Sequence, residues 1–309
     1  MRTLVFSLNP AVDVEWRVPT VLPEEKNELR SESRWPGGKG INVARWLAWR
    51  GHPSRLFLPL GGATGRELAG GLRSEGLRAT VFPIQGATRA NVVITPDTGP
   101  QLRFNPTWPR LNSREAGRLG AAACDQALKA KTVVISGTMA FGAPASLYAR
   151  MVSAARRGGA RVYLDCDREP FALAAREGPF LVKPNAFELS QWSGKTLRGE
   201  EALVRAARAL SSVTGGWVLV SRGPEGALLV HAQRTKVLKA RVPKVVARNS
   251  VGAGDALLAG VIASAESGGD PEEWLADGVA TGTSATQVAP GGLPSRRVWR
   301  RIRREVILG

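Results

Sequence analysis

The most chemically suggestive stretch of the 309-residue sequence is Val251-Gly252-Ala253-Gly254-Asp255, which runs into the apolar segment Ala256-Leu257-Leu258-Ala259. Two glycines around one alanine let the backbone bend so that several N–H groups converge on one point. The positive end of the helix that follows favours an anion there, and phosphate is the usual occupant. A carboxylate beside a phosphate site is electrostatically unwelcome unless it has a task. Asp255 is therefore read as a general base for a hydroxyl that attacks the phosphate, with Gly252, Ala253 and Gly254 as the anion-binding turn. On this stretch alone, an acidic residue favoured by the helix dipole explains the aspartate equally well.

A second glycine-rich turn, Trp35-Pro36-Gly37-Gly38-Lys39-Gly40-Ile41-Asn42, also opens a helix, with Ile41, Ala44, Leu47 and Ala48 on one face. Its N–H groups could receive an anion or a sugar hydroxyl, and Lys39 and Asn42 are the side chains placed to help. A plain strand-to-helix turn is the competing reading. Arg89 and Arg103 lie on the two arms of an expected hairpin, 88–95 and 101–105, joined by Asp97-Thr98-Gly99-Pro100. Both could be surface charges, or they could clamp a phosphate with paired N–H donors.

These residues need a scaffold, and the chain supplies an alternating one. Strands are expected at 3–8, 55–60, 79–82, 132–136, 161–165, 180–182, 217–221 and 226–231, with helices at 65–75, 144–157, 169–176 and 200–210. Such alternation argues for a mostly parallel sheet covered on both faces, and ligands in such sheets sit at the C-terminal ends of the strands. The polar and glycine-rich turns fall at those ends. Segment 14–34 is polar and alternating, more like exposed strand than core. No internal repeat or linker divides the chain.

Composition narrows the function classes. The sequence has 43% hydrophobic residues and two cysteines, Cys124 and Cys166, too few for a disulfide framework and in keeping with a reducing cytoplasm. Two histidines, His52 and His231, leave little for a histidine metal site or a Ser-His-Asp triad. No apolar run is long enough to span a membrane. The net charge of +17 could suit nucleic acid, yet the arginines are scattered and dense only near the end, Arg296-Arg297 to Arg303-Arg304. The surplus is read mainly as solvated surface that also favours phosphorylated substrates.

Together the two glycine turns resemble the paired signatures of the ribokinase-like (PfkB-type) carbohydrate kinases. Asn9-Pro10-Ala11-Val12-Asp13, Thr88-Arg89-Ala90-Asn91-Val92, Ser136-Gly137-Thr138, Lys183-Pro184-Asn185-Ala186-Phe187-Glu188 and Ser221-Arg222-Gly223-Pro224-Glu225-Gly226-Ala227 follow in the expected order. The resemblance spans nearly the whole chain and is similar to the phosphofructokinase and tagatose-6-phosphate kinase branch. It implies one domain over 1–309, a three-layer α/β/α sandwich whose mostly parallel sheet has about eight or nine strands. A small β lid would come from 13–34 and 89–105, and would pair with that of a second subunit in a homodimer.

The same resemblance implies ATP as co-substrate and Mg2+ organised through water by Asn185 and Glu188. Lys183, Asn185, Ser221, Gly223 and Gly226 would lie along the nucleotide. Asp13, Gly38, Asn42 and Thr138 would hold the sugar, and Lys39, Arg89 and Arg103 would counter its phosphate. The expected activity is phosphorylation of fructose 1-phosphate at its 6-hydroxyl. Lys39 looks like the fructose 1-phosphate or tagatose 6-phosphate branch and Arg103 like the fructose 6-phosphate branch, so those acceptors stay open beside it. A non-catalytic sugar-phosphate sensor or a nucleic-acid-associated protein is the remote alternative. Asn249-Ser250 stands where the family often has Asp-Thr, a change in local charge that leaves Asp255 in place.

Overall fold

The computed structural model describes residues 3–243 and 245–309 and holds a ten-stranded sheet and a separate four-stranded one. The chain enters through β1 (Thr3–Phe6), runs out as β2 (Ala11–Val18) and β3 (Ser31–Gly37), and returns as α1 (Lys39–Trp49). Then come β4 (Arg55–Leu60), α2 (Gly62–Ser74), β5 (Arg78–Pro83), β6 (Arg89–Pro96) and β7 (Leu102–Phe104). The middle of the chain is α3 (Ser113–Lys129), β8 (Thr132–Ser136), α4 (Leu147–Arg157), β9 (Arg161–Asp165) and α5 (Arg168–Ala175). It continues as β10 (Leu181–Val182), α6 (Ala186–Ser193), α7 (Gly199–Thr214), β11 (Trp217–Ser221), β12 (Ala227–Val230) and β13 (Leu238–Arg241). The last elements are α8 (Ala253–Glu266), α9 (Pro271–Ala285), α10 (Arg296–Glu305) and β14 (Ile307–Leu308).

The large sheet runs β14-β13-β12-β11-β10-β9-β8-β1-β4-β5, parallel from β11 to β5 and antiparallel over its last three pairings. This is the expected three-layer α/β/α sandwich. The strand count exceeds the expected eight or nine because β13 and the two-residue β14 extend the antiparallel edge, too short to leave a pattern in the sequence. Both faces of the central strands are buried. Val5, Val134 and Tyr163 belong to one apolar cluster with residues of α1, α2, α8 and α9; Leu4, Val133 and Leu164 belong to the other with α3, α4, α5 and α7. None of the helices among the described residues is long and apolar enough to cross a membrane.

Helix α8 is buried all round from Asp255 to Ala265. It crosses α9 at backbone contact: a Cβ on Gly260 would lie 2.6 Å from the Thr281 hydroxyl oxygen and 2.7 Å from the Asp277 carbonyl. A Cβ on Gly278 would lie 2.6 Å from the Val261 side chain. Glycine at both positions lets α9 seat α8 against the sheet, and so fixes the turn that α8 begins with.

The small sheet has the order β3-β2-β6-β7. Asp13 stands opposite Asn91, and Val93 opposite Arg103. Because side chains alternate, Val12, Val14, Ala90 and Val92 turn to the core while Asp13, Arg89, Asn91 and Arg103 share the opposite face. Only 11–18 and 31–37 of the polar segment are strand, and 19–30 is a connection.

Candidate active site

Gly252 caps α8 in the left-handed region, with φ of 75°, so the N–H groups of Ala253, Gly254 and Asp255 open the helix together. Asp255 is only 6% exposed, and its Oδ2 accepts a 2.8 Å hydrogen bond from Asn42 Nδ2. The Asn42 carbonyl oxygen in turn accepts from Arg45 Nη1 at 2.9 Å. Arg45 is itself clamped: its Nε and Nη2 fork onto the Glu75 carboxylate at 2.7 and 2.9 Å, and Nη2 also donates to the Pro36 carbonyl at 2.7 Å. Glu75, Arg45, Asn42 and Asp255 thus form one line of polar contacts that fixes the orientation of the last carboxylate.

Burial pushes the Asp255 carboxyl up to about 7, helped by the nearby Asp165 charge and opposed by Asn42, Lys39 and Lys183. A carboxylate that gains its proton near neutrality is suited to accept one from a hydroxyl.

Asp165 ends β9, is fully buried, and has neither carboxylate oxygen in a hydrogen bond. Lys183 Nζ lies 3.3 Å and Lys39 Nζ 3.5 Å from its Oδ1, and Lys39 also faces Glu188 Oε1 at 3.9 Å. The Asp165 charge holds Lys39 firmly protonated against the cost of burial. A Cβ on Gly254 would sit 3.6 Å from Lys183 Nζ, so this ammonium overlies the glycine turn. Lys39, expected at the acceptor's phosphate, lies against the two carboxylates beside that turn.

Asn185 and Glu188 form a capping box at the start of α6: the Asn185 carbonyl oxygen accepts from the Glu188 N–H and Glu188 Oε2 from the Asn185 N–H, both at 2.8 Å. This leaves Glu188 Oε1 turned to Lys39. Asn185 bridges Ser221 across the strand ends. Gly223 has open space above it, whereas a Cβ on Gly226 would overlap the Ala240 carbonyl, a need of the β11–β12 turn itself. Asn249 braces the approach to α8, donating from Nδ2 to the Val288 carbonyl and accepting from the Val251 N–H at 2.7 Å.

On the small sheet, Asn91 Nδ2 donates to Asp13 Oδ1 at 2.8 Å, and burial raises the Asp13 carboxyl despite that bond and the charge of Arg89. Gly37 must lack a side chain because a Cβ there would overlap the Asp13 carboxyl. Arg89 Nη2 donates to the Asn9 carbonyl at 3.2 Å, and Asn9 Nδ2 donates to Thr138 Oγ1 at 3.0 Å, with Gly38 packed over Pro10. The sugar-side candidates Asp13, Gly38, Arg89 and Thr138 are therefore linked to one another. Arg103 stands apart, exposed and touching Gln101 at 3.2 Å.

The chain matches the model of the pfkB family carbohydrate kinases over residues 7–295. It belongs to that family. It is similar to the 1-phosphofructokinase of Rhodobacter capsulatus, 35% identical over 276 residues, 88% of this chain and 86% of that one. It is 31% identical over 292 residues to the ATP-dependent 6-phosphofructokinase isozyme 2 of Escherichia coli strain K12, 93% of each chain. Among solved structures, phosphofructokinase-2 from Escherichia coli in complex with fructose-6-phosphate superposes with a TM-score of 0.89 at 30% identity, over 98% of each chain. Membership makes this chain a phosphotransferase of the carbohydrate kinase type.

Sequence reasoning missed Asp165, Arg45 and Glu75. Asp165 carried a usable signal, a carboxylate at the C-terminal end of an expected parallel strand. Arg45 read as one surface arginine among many. In this pfkB-family chain Arg45→Lys is expected to lower kcat about tenfold, roughly 1.4 kcal/mol, because losing the bidentate hold on Glu75 frees the group that donates to Asn42. A lysine cannot hold Glu75, Pro36 and Asn42 at once. Steady-state kinetics on the folded variant check this, and unchanged kcat would detach Arg45 from the base.

Proposed function

We propose that this chain is an ATP-dependent kinase of a ketohexose monophosphate, with fructose 6-phosphate as the acceptor. The observation that carries the kinase reading is Asp255, buried and held by Asn42 at the first turn of α8, beside a glycine turn overlain by Lys183. In an in-line transfer Asp255 takes the proton of the attacking sugar hydroxyl. The backbone N–H groups of Gly252, Ala253 and Gly254 receive the charge that develops on the moving phosphoryl group, a task for fixed dipoles in a site closed to water. Lys183 and Lys39 add positive charge on the same side. Ser221 and Gly223, beside Asn185, border the nucleotide.

The oxygen donors suit a hard cation held largely by phosphate and water. Glu188 Oε1 takes no part in the capping box, both Asp165 oxygens lack a hydrogen bond, and the described residues contain no group of three or more metal-ligating side chains. Glu188 and Asp165 would hold Mg2+ there, through water. When bound, the ion neutralises charge on the phosphates.

Support for the 6-phosphate comes from the small sheet. Lys39, which looks like the fructose 1-phosphate or tagatose 6-phosphate branch, has carboxylate partners, while Arg103 carries a guanidinium with no ion pair among the described residues on the face that presents Asp13 and Arg89. This sheet acts as a lid that closes over the sugar, and a second copy of the chain pairs with it. Fructose 1-phosphate is the second reading, favoured by the likeness to the Rhodobacter capsulatus enzyme.

A coupled ADP-release assay with fructose 1-phosphate, fructose 6-phosphate, tagatose 6-phosphate, fructose and ribose decides among them. The expected result is a kcat/KM for fructose 6-phosphate at least ~100-fold above the others, about 2.7 kcal/mol. Arg103→Ala should raise its KM about 10- to 100-fold with kcat nearly unchanged, the loss of one charge-assisted hydrogen bond to phosphate. Preference for an unphosphorylated sugar would exclude the whole reading, and preference for fructose 1-phosphate would replace the acceptor.

A further inference from the structure

The helical layer opposite α8 carries a cavity of about 510 Å³ between α3, α4 and α5. Arg150, Arg157 and Arg176 line it, and the one carboxylate among its walls is Glu177. Among the described residues none of the three guanidiniums forms an ion pair, and Glu177 pairs with none of them. Arg157 Nη1 donates to Ser153 Oγ at 3.2 Å, which directs its head along the wall. Arg156 Nη1 donates to the Glu177 carbonyl at 2.8 Å and ties the end of α4 to the end of α5, so the mouth is braced. Three like charges around one concavity repel one another unless an anion lies between them. A cavity of this size takes a small molecule, and planar guanidiniums match phosphate oxygens with paired donors.

We propose that this cavity is a binding site for a small phosphate-bearing anion, separate from the catalytic centre and independent of the acceptor assignment. It lies on the other face of the sheet from Asp255, in the apolar layer of α3, α4 and α5.

Cys124 lines the same cavity and reports on it. It is half-buried, whereas the only other cysteine, Cys166, is fully enclosed. Burial raises the Cys124 thiol while the charges of Arg150 and Arg157 work the other way, so a bound anion that cancels those charges must raise it further. The thiolate is the reactive form, so alkylation slows. An anion seated over the sulfur also blocks the reagent.

The test measures the rate of Cys124 alkylation by iodoacetamide, read by mass spectrometry of the intact enzyme, against inorganic pyrophosphate. A saturable slowing of about fivefold or more is expected, well beyond that from sodium chloride at equal ionic strength. The triple variant Arg150→Gln, Arg157→Gln, Arg176→Gln should lose the pyrophosphate dependence. These side chains are exposed, so the fold should tolerate the changes, and circular dichroism establishes that. Equal slowing by chloride, no slowing, or protection that persists in the triple variant would each overturn the site. Kinase turnover is a separate readout, so failure here leaves the catalytic reading untouched.

Discussion

Asp255→Asn is expected to lower kcat by about 10³-fold or more while nucleotide binding persists, because the variant keeps the shape of the site and loses the proton acceptor. Its stability should move the opposite way. The folded carboxyl is raised to about 7 from an ordinary value of 3.8, mainly by burial. The native state therefore holds a proton that the unfolded chain has already lost between those values. Stability from this group is full below about pH 4 and falls as pH rises towards 7, by up to a few kcal/mol. At pH 8 the asparagine variant should melt at the same temperature as the wild type or higher, and the difference should close near pH 4. Wild-type kcat/KM should drop about tenfold per unit below pH 7, as the base is protonated. Retained turnover in the variant, read with the same ADP-release assay, would remove Asp255 as the base.

Asp165→Asn is the second large effect, and it falls on stability as well as on rate. Lys183 is 5% exposed at its side chain and Asp165 not at all, so neutralising the carboxylate leaves a buried ammonium uncompensated. Removing one partner of a buried pair costs about 3 to 5 kcal/mol. Lys39 adds little to that figure, since its side chain is 39% exposed and screened by water. Denaturant unfolding should show the loss, and the double variant Asp165→Asn, Lys183→Met should recover much of it. The acid limb of kcat/KM should move below pH 7 as well, because one of the charges holding Asp255 up is gone and the ammoniums remain. An unchanged midpoint in denaturant would show that Lys183 does not depend on Asp165.

The alternating strand-helix scaffold was legible because the central strands are buried on both faces and stand out as short apolar runs between glycine turns. Helices α3 and α9 were not read, although each announces itself with a capping box, Asn112 with Glu115 and Asp270 with Glu273. The same pattern in Asn185 and Glu188 was read for its chemistry and not for its structural role, which the hydrogen bonds display. The base and its glycine turn are contiguous in sequence and could be found together. The pairing of Asp165 with Lys183 and of Arg45 with Glu75 was not legible in that way, since each depends on separate elements meeting: β9 beside β10, and α1 against the end of α2. Lys39 shows the limit most clearly. Its place in a glycine turn is plain in the sequence, but Asp165, the carboxylate beside it in the fold, lies more than a hundred residues away.

The backbone contact between α8 and α9 bears on which substitutions this chain can accept over time. A methyl group added at Gly278 touches no reacting atom, yet it must push α8 outward, and the glycine turn would travel with the helix. Mutational tolerance should therefore not track distance from the phosphoryl group. In a randomised library selected for kinase turnover, Gly260 and Gly278 would be nearly as intolerant as Asp255, while exposed arginines remote from the small sheet would drift more freely. A conservation pattern drawn from such a library would trace the crossing of two helices as strongly as it traces the chemistry.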